Sequence, residues 1–500
     1  MRLSALAEAV PHRKAGAKGD PEISAVTHDS RRAKGGTLFA AFPGTRVDGR
    51  SFIPDAVSHG ASAALGLPPA PRDITIPYLE VENPRRAGGL LSARLHREPA
   101  EKLVLVGLTG TSGKTTTSIL VDALLAQRHE KRGLFGTLVY RGAGGEAASV
   151  EAARTTPEAT DLQPMLAALV EEGGTAAVME CSSHALVLER LAGCRFDVAA
   201  FLNLSRDHLD FHADLDDYFE AKARLFSMLK PEGRAVINAD DPYGLTLFHR
   251  LPRGRAITFA LGEKTGADVK GTARFETSGT VLAVSDFMRE HELEIHSPLL
   301  GRPNAENLLA AAAIGGVLGL TPDEIESGLA SVERVPGRLE PVPNDLGLTV
   351  LVDYAHKPGA LSGVLETARS LAASGSGRVV VLFGCGGDRD RGKRPEMGRI
   401  AVTLADETIV TSDNPRSEDP EAIVAEILAG ISETERTARA VVDRRQAIRE
   451  AVALARRGDV VVLAGKGHET YQEIAGVKHP FDDRLVAAEV IAALAKERGA

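Results

Sequence analysis

From residue 102 onward the chain alternates continuous apolar runs with amphipathic stretches. Leu103-Val104-Leu105-Val106 runs into Gly107 without a polar break, and Ala176–Met179, Val198–Leu202 and Ala235–Asn238 repeat the pattern. A run that is apolar at every position suits a strand covered on both faces, as in a parallel sheet. Helical patterns at Thr160–Glu172 and Leu215–Leu229 separate these runs, so the region predicts βαβ units. The stretch Ala256–Glu292 alternates more and predicts a peripheral antiparallel part, followed by helices at Ala305–Leu318 and Pro322–Ser331. Near Val335-Pro336-Gly337 the βα rhythm restarts. Strands are predicted at Thr349–Val352, Arg378–Phe383, Glu407–Val410 and Val460–Ala464, with a closing helix at Arg484–Lys496. Before residue 102, Ile23–His28, Thr37–Ala40 and Ala63–Leu65 are strand-like, punctuated by Gly35–Gly36, Pro43–Gly44 and Asp48–Gly49. Three domains are expected, at 1–101, 102–336 and 337–500.

Composition removes several classes of function. With 43% hydrophobic content over 500 residues, the chain can fill several cores. A net charge of −9 disfavours nucleic acid or an anionic membrane as partner, though a local basic site remains compatible with it. Trp is absent and aromatics make up 4%, so a stacking platform for single strands is not expected. No run approaches the roughly 20 apolar residues of a membrane span. Met1–Lys14 lacks the apolar centre of a leader. Cys181, Cys194 and Cys385 form no Cys-x-x-Cys pair, which suits a reducing compartment. The expectation is a cytoplasmic monomer that handles small molecules, with no nucleic acid and no membrane span.

The chemistry begins after the first central strand, at Gly110-Thr111-Ser112-Gly113-Lys114-Thr115-Thr116. Glycines let a loop turn its N–H groups toward phosphate oxygens, and a helix starting there adds its positive end. Lys114 can neutralise β- and γ-phosphate charge, and the Thr115 hydroxyl can meet a magnesium ion. Leu108 stands where the longer form of this motif has glycine, so the match is to the shorter Gly-x-x-Gly-Lys-Thr form. The expected fold class is therefore α/β. It combines a small N-terminal α/β domain, a central P-loop mononucleotide-binding domain with a mainly parallel sheet, and a C-terminal Rossmann-like α/β domain.

Other polar groups fall at predicted strand ends, where parallel sheets bind ligands. Glu180 closes one strand and is a candidate magnesium ligand or a plain strand terminator. Asn203-Leu204-Ser205-Arg206-Asp207-His208-Leu209-Asp210 follows another and is dense in groups that bind metal or phosphate. Lys222, taken alone, is a helix lysine expected to face solvent. The C-terminal region carries Asp353–His356, Gly384–Arg394, Thr411–Arg416 and Gly465–Glu469, again after strands. Arg389 and Arg416 can each grip a carboxylate, and Asp413 and Glu469 can receive an ammonium, a set suited to a zwitterionic amino acid.

In this order, Thr109–Thr117, Thr155-Thr156-Pro157-Glu158, Glu180–His184, Asn203–Asp210, Asn304–Asn307, Gly337-Arg338, Asp353–His356, Gly384–Arg394, Asp413–Arg416 and Gly465–Glu469 make the chain resemble the Mur ligases over nearly its whole length. The resemblance implies an ATP- and Mg2+-dependent carbon–nitrogen ligase of peptidoglycan precursor synthesis. It implies addition of meso-2,6-diaminopimelate to the D-glutamate γ-carboxylate of UDP-N-acetylmuramoyl-L-alanyl-D-glutamate through an acyl phosphate. Its three domains would take the UDP end, ATP and the incoming amino acid.

By the same resemblance, Ser30, Thr155, Thr156, Ser182 and Arg190 hold the UDP-muramoyl peptide. Gly110–Thr116, Asn304, Asn307, Arg338 and Asp353 face ATP. Arg389, Asp413, Asn414, Pro415, Arg416, Gly465 and Glu469 contact diaminopimelate. Thr115, Glu180, His208 and an N-carboxylated Lys222 serve the metal, and Lys114, Lys222 and His208 carry catalysis. Arg154 and Leu188 depart from the family's usual Asn and Gln. A lysine-adding Mur ligase, a folylpolyglutamate synthetase, a P-loop switch and a nucleotide-binding scaffold are the alternatives.

Overall fold

The computed structural model describes residues 1–44, 47–145, 149–152, 154–262, 266–276, 278–286, 291–373, 377–432 and 438–498. Three sheets follow one another along the chain, and a two-stranded hairpin attaches to the last.

The first sheet runs in the order Arg13–Gly16, Pro77–Glu80, Ala63–Gly66, Thr37–Ala40, Ala25–Thr27, and only the Arg13–Gly16 edge is antiparallel. The apolar pattern missed two of these strands. Arg13–Gly16 is a polar, largely exposed edge, and Pro77 opens the other. The helix Pro84–Leu95 starts where the Asn83 side chain accepts from the Arg86 N–H, with Pro84 at the first position. It buries Ala87 and Leu91 in one core with Leu38, Leu65 and Leu79.

Among the described residues the second sheet has eleven strands. Its parallel centre runs Val269–Glu276, Ala256–Leu261, Leu229–Asn238, Phe196–Phe201, Val104–Thr109, Ala176–Glu180, Arg132–Phe135. The expectation that Ala256–Glu292 is antiparallel is corrected here. Ala256–Leu261 and Val269–Glu276 extend the parallel array, and only Gly279–Asp286 and His291–Ser297 are antiparallel. Ala256–Leu261 is apolar at every position but Thr258 and buried at nearly every position, which is the parallel signature. Positions 263–265, 277 and 287–290 of that stretch lie outside the described residues. The predicted helix Leu215–Leu229 stops at Ala223, tightens into a 3-10 turn over Arg224–Met228 and becomes strand at Leu229. Pro231 prevents the helix from continuing.

The third sheet runs Glu340–Pro341, Thr349–Asp353, Val460–Ala464, Val379–Phe383, Glu407–Val410, Ala438–Ala440, all parallel but the first. The last parallel strand in sequence thus lies between the first two, and the strand order reverses there. Ligands bind where such a reversal opens a crevice at the carboxyl ends. The helix Gly301–Val317 leads from the second sheet toward the third. Gly301 has φ +83°, and a Cβ there would lie 2.3 Å from the Thr367 side chain, so the two bodies meet at a point only glycine fits.

Arg444 anchors the crevice from beneath. It is buried, pairs with buried Asp483 at 2.6 Å, and donates to the carbonyls of Ser412 (3.3 Å) and Ala464 (3.0 Å). It thereby ties together the ends of two strands that carry loops of the site. Arg444→Met leaves Asp483 buried without its partner and is expected to destabilise the C-terminal sheet by about 3–5 kcal/mol. Native-state hydrogen exchange of the strands Val379–Phe383 and Val460–Ala464 checks this, and unchanged protection there would show that the pair is dispensable.

Candidate active site

The glycine loop leaves the strand Val104–Thr109 at the middle of the second sheet, and the helix Lys114–Leu125 begins directly after it. Gly113 has φ +84°, and a Cβ there would stand 2.4 Å from Asn307 Oδ1. That contact places Asn307 against the loop. The Thr117 hydroxyl donates to the same oxygen at 3.2 Å, and Asn307 in turn lies 3.5 Å from Asn304 Oδ1. Asn203 shapes the loop from the other side, accepting from the Thr111 and Ser112 N–H groups at 3.1 and 2.9 Å.

Lys114 folds back so that its Nζ donates to the carbonyls of Gly110 (2.7 Å) and Thr111 (3.3 Å). The expectation that Lys222 faces solvent is overturned. Its helix turns Tyr218, Phe219 and Lys222 inward, and the Lys222 Nζ donates to the same Gly110 carbonyl at 2.8 Å. Two amines therefore share one oxygen. Burial and the nearby Lys357 lower Lys114 to about 8. Burial, then Lys114 and Lys357, push Lys222 well below an ordinary lysine. The Lys222 Nζ sits 4.4 Å from the centre of the Tyr218 ring.

Glu180 ends the strand Ala176–Glu180 and is buried. Its carboxylate accepts from the Thr115 hydroxyl (3.2 Å), the Thr137 hydroxyl (3.1 Å) and the Thr137 N–H (2.8 Å). Among the described residues it makes no ion pair. A buried carboxylate served only by neutral donors, beside a threonine hydroxyl, is a hard-oxygen pair that fits magnesium. Arg338 donates to the Thr115 hydroxyl at 3.3 Å and lies 4.7 Å from the centre of the Tyr354 ring. Asp353 is turned inward and accepts from the N–H groups of Leu339 and Ala355, both at 2.7 Å, which fixes the segment bearing Arg338.

A cavity of about 400 Å³ lies between the second and third sheets. On one side are His184, Asp207 and His208. On the other are Lys357, Lys393, Arg389, Asp413, Asn414, Arg416, Gly465 and Glu469. Asp207 lies 2.5 Å from Lys357 and 3.0 Å from His208. Burial alone would raise its pKa, but the bond with His208 and the charge of Lys357 outweigh it and hold the carboxyl well below its usual range. His208 and Arg416 both adopt φ +52°, a left-handed backbone unusual for side-chain-bearing residues and concentrated at functional sites. Lys466 is fully buried, 3.1 Å from Asn414 Oδ1, 3.3 Å from Glu469 and 3.5 Å from Asp413. Burial, then Asp413, raises the Glu469 pKa against the opposing pull of Lys466.

The residues proposed for the peptide substrate form a second cluster. Thr155 accepts from the Thr137 hydroxyl at 3.2 Å, and Thr156 donates to the Glu180 carbonyl at 2.7 Å and meets Ser182 at 3.3 Å. Arg190 donates to Glu158 at 3.0 Å and to the Thr156 carbonyl at 3.3 Å. Arg154, the departure from the family pattern, pairs with the same Glu158, and Leu188 ends the helix Ser183–Val187. Ser30 is buried on the turn Ser30–Arg32 and, like Pro415, does not line the cavity. Lys357, Lys393 and Lys466 were given no role by the sequence reading. The signal for all three was a lysine within a polar loop that follows a buried strand.

Three family models cover most of the chain: the Mur ligase family catalytic domain at 22–89, the Mur ligase middle domain at 108–315 and the Mur ligase glutamate ligase domain at 337–467. A UDP-N-acetylmuramoyl-L-alanyl-D-glutamate–2,6-diaminopimelate ligase of Geobacter metallireducens is 44% identical, with 97% of each chain covered. The chain belongs to the Mur ligase family. A ligase of the same name from Thermosynechococcus vestitus is 45% identical over 94% of this chain and 93% of its own. A solved UDP-N-acetylmuramoyl-L-alanyl-D-glutamate–2,6-diaminopimelate ligase matches with a TM-score of 0.66 at 34% identity, covering 94% and 95% of the two chains. A Mycobacterium tuberculosis folylpolyglutamate synthase complexed with ADP shares the fold alone, at 20% identity and a TM-score of 0.60 over 75% and 90% of the two chains. No helix of this Mur ligase, among the described residues, is long and apolar enough to cross a membrane.

His184 meets His208 and Phe211 at ring-centroid distances of 4.8 and 4.1 Å. Burial first, then His208 and His212, lower it to about 4. Its ring is thus expected to stay neutral at every pH above that value. A ring-nitrogen NMR titration checks this, and a midpoint near 6.5 would show a ring open to water.

Proposed function

We propose that this chain is an ATP-dependent ligase that joins meso-diaminopimelate to the D-glutamyl γ-carboxylate of UDP-N-acetylmuramoyl-L-alanyl-D-glutamate, in the cytoplasm, during peptidoglycan precursor synthesis. The observation that carries the reading is the cavity itself. One of its lining residues, Lys357, is within electrostatic reach of Lys114 of the glycine loop, and the cavity presents Arg389 and Arg416 together with Asp413 and Glu469, two cations and two acids, to a ligand that bears both charges. The relatives at 44–45% identity over nearly their full length support the same substrate pair.

A carboxylate does not acylate an amine until its oxygen becomes a leaving group. In this reading the γ-carboxylate oxygen attacks the γ-phosphorus of ATP, the bond to the β-phosphate oxygen breaks, and ADP and an acyl phosphate result. Lys114 and the loop N–H groups hold the phosphates as charge moves onto the leaving oxygen. Asn304, Asn307 and Arg338 border the nucleotide, while Asp353 holds Arg338 in place. Thr155, Thr156, Ser182 and Arg190 hold the peptide, with Ser30 toward its uridine end.

The amine of diaminopimelate then attacks the acyl carbon. The tetrahedral intermediate expels phosphate, and the nitrogen gives up its proton. Asp413, Asn414 and Glu469 orient that amino acid, and Pro415 and Gly465 shape the loops around it. Closure of the cavity keeps water from the acyl phosphate. Thr115, Glu180 and His208 would hold magnesium, which when bound offsets phosphate charge.

Lys222 joins the metal-binding group if it is N-carboxylated. The positions of the amines support that chemistry. Only a neutral amine adds to carbon dioxide, releasing a proton as the carbamate forms. Burial, then Lys114 and Lys357, lower the Lys222 pKa and so favour that neutral form. The carbamate would place a negative charge where two amines crowd one carbonyl. Lys222→Ala is expected to collapse turnover, with partial rescue by short carboxylates. An alanine variant of full activity would remove the carbamate from the scheme.

Diaminopimelate differs from lysine by one distal carboxylate. A fixed guanidinium gains a charge-assisted pair with that group and is left unpartnered by lysine. In an ADP-release assay with diaminopimelate, lysine and ornithine, diaminopimelate should dominate. Arg416→Ala is expected to lower kcat/KM for diaminopimelate by about 10²–10³ while sparing lysine. Equal losses for both would assign Arg416 to the end that the two amino acids share.

A further inference from the structure

The hairpin Tyr471–Ile474 and Val477–Pro480 lies outside the third sheet and is largely exposed. Nothing in the reaction scheme requires it. Yet it is stitched to the loop that carries Arg416. The Arg416 N–H donates to the Glu473 carbonyl at 3.0 Å, and the Ala475 N–H donates to the Arg416 carbonyl at 2.7 Å. The Glu473 N–H donates to Asn414 Oδ1 at 2.9 Å, and the Gln472 side chain donates to the Asp413 carbonyl at 2.7 Å and the Ser412 hydroxyl at 3.3 Å.

These bonds hold the Arg416 backbone in its left-handed conformation. The side chain is fixed too. Its Nε lies 3.5 Å from the Glu473 carboxylate, and its Nη1 donates to the Gly387 carbonyl at 2.7 Å. With one edge of the guanidinium turned to Glu473 and one terminal nitrogen on Gly387, the plane is set from two sides where it lines the cavity. Arginine has several rotatable bonds, and a bidentate pair forms only if the fork arrives in the right plane. A partner that fixes the fork before binding removes part of the ordering cost from the binding step.

We infer that Glu473 is a positioning residue for specificity, holding the Arg416 fork so that it reads the distal carboxylate of the incoming amino acid. This rests on the reading that Arg416 contacts that carboxylate. Glu473 itself touches no reacting atom. Its carboxylate is only about a quarter exposed, at 27%, so its charge on the Arg416 fork is partly screened by water but not lost.

The test measures kcat/KM for diaminopimelate and for lysine in wild type, Glu473→Gln, Arg416→Ala and the double variant, with the ATP KM and Tm as controls. Glu473→Gln keeps the backbone bonds and the side-chain shape. It should lower kcat/KM for diaminopimelate about tenfold, mostly through KM, with lysine use, ATP KM and Tm unchanged. In the Arg416→Ala background it should change nothing further, because the two act as one unit. If Arg416→Ala alters the preference and Glu473→Gln does not, or if their effects on it add, the inference is wrong while the role of Arg416 stands. If Arg416→Ala weakens both amino acids equally, the reading of Arg416 fails and this inference falls with it. Should Glu473→Gln lower Tm, Glu473→Asp, which keeps the charge on a shorter arm, carries the same comparison.

Discussion

Two lysine amines meet at a single carbonyl oxygen, that of Gly110, and much of the site follows from that crowding. Lys357 adds a third buried amine within electrostatic reach of both. The nearby carboxylates do not balance them. Asp207 is already committed to Lys357 and His208, and Glu180 to neutral donors. A buried region with more cations than anions is costly unless protons leave or anions arrive. The lowered pKa values of Lys114 and Lys222 are the first response. A polyphosphate held by the glycine loop is the second, since it supplies the missing charge and would draw the Lys114 pKa back up toward that of an ordinary lysine. Binding and protonation are thereby linked in this fold.

The sheets bring these groups together. In each of the two large sheets the parallel strands deliver their carboxyl ends to one edge, and the two edges face each other across the cavity. Glu180, Asn203 and His208 come from one edge. Tyr354, Gly386, Asp413 and Gly465 come from the other. Arg444 with Asp483 locks two of the facing loops to the body of their own sheet, and the Gly301–Thr367 contact sets how closely the two bodies approach.

Much of this was legible in the sequence because buried parallel strands write themselves as unbroken apolar runs, and the polar residue after each run falls at the crevice. The glycine loop, Glu180, the segment from Asn203 to Asp210 and the Arg416 loop were found in that way. What escaped has a physical reason in each case. Lys222 looked like a solvent-facing helix residue because helical spacing alone does not say which face turns inward. Ala256–Leu261 was read as antiparallel although its own run is apolar at every position but Thr258. The hairpin Tyr471–Pro480 is polar, exposed and outside every core, so no burial pattern announced it. Lys357 and Lys466 matter through partners far away in sequence, Asp207 and Asp413, that no local pattern joins to them.

The strand Val460–Ala464 has a consequence for how the chain is made. It is the last parallel strand to leave the ribosome, yet it pairs with Thr349–Asp353 on one side and Val379–Phe383 on the other. Until it emerges, those two earlier strands have no common neighbour, and the backbone edge of each that faces the gap stays unpaired. The N-terminal and central sheets draw only on residues that precede them and can close during synthesis. The C-terminal sheet has to wait for its keystone and then forms at once, by contacts spanning about a hundred residues. A growing chain therefore holds a formed glycine loop well before the loops on the far side of the cavity are in place.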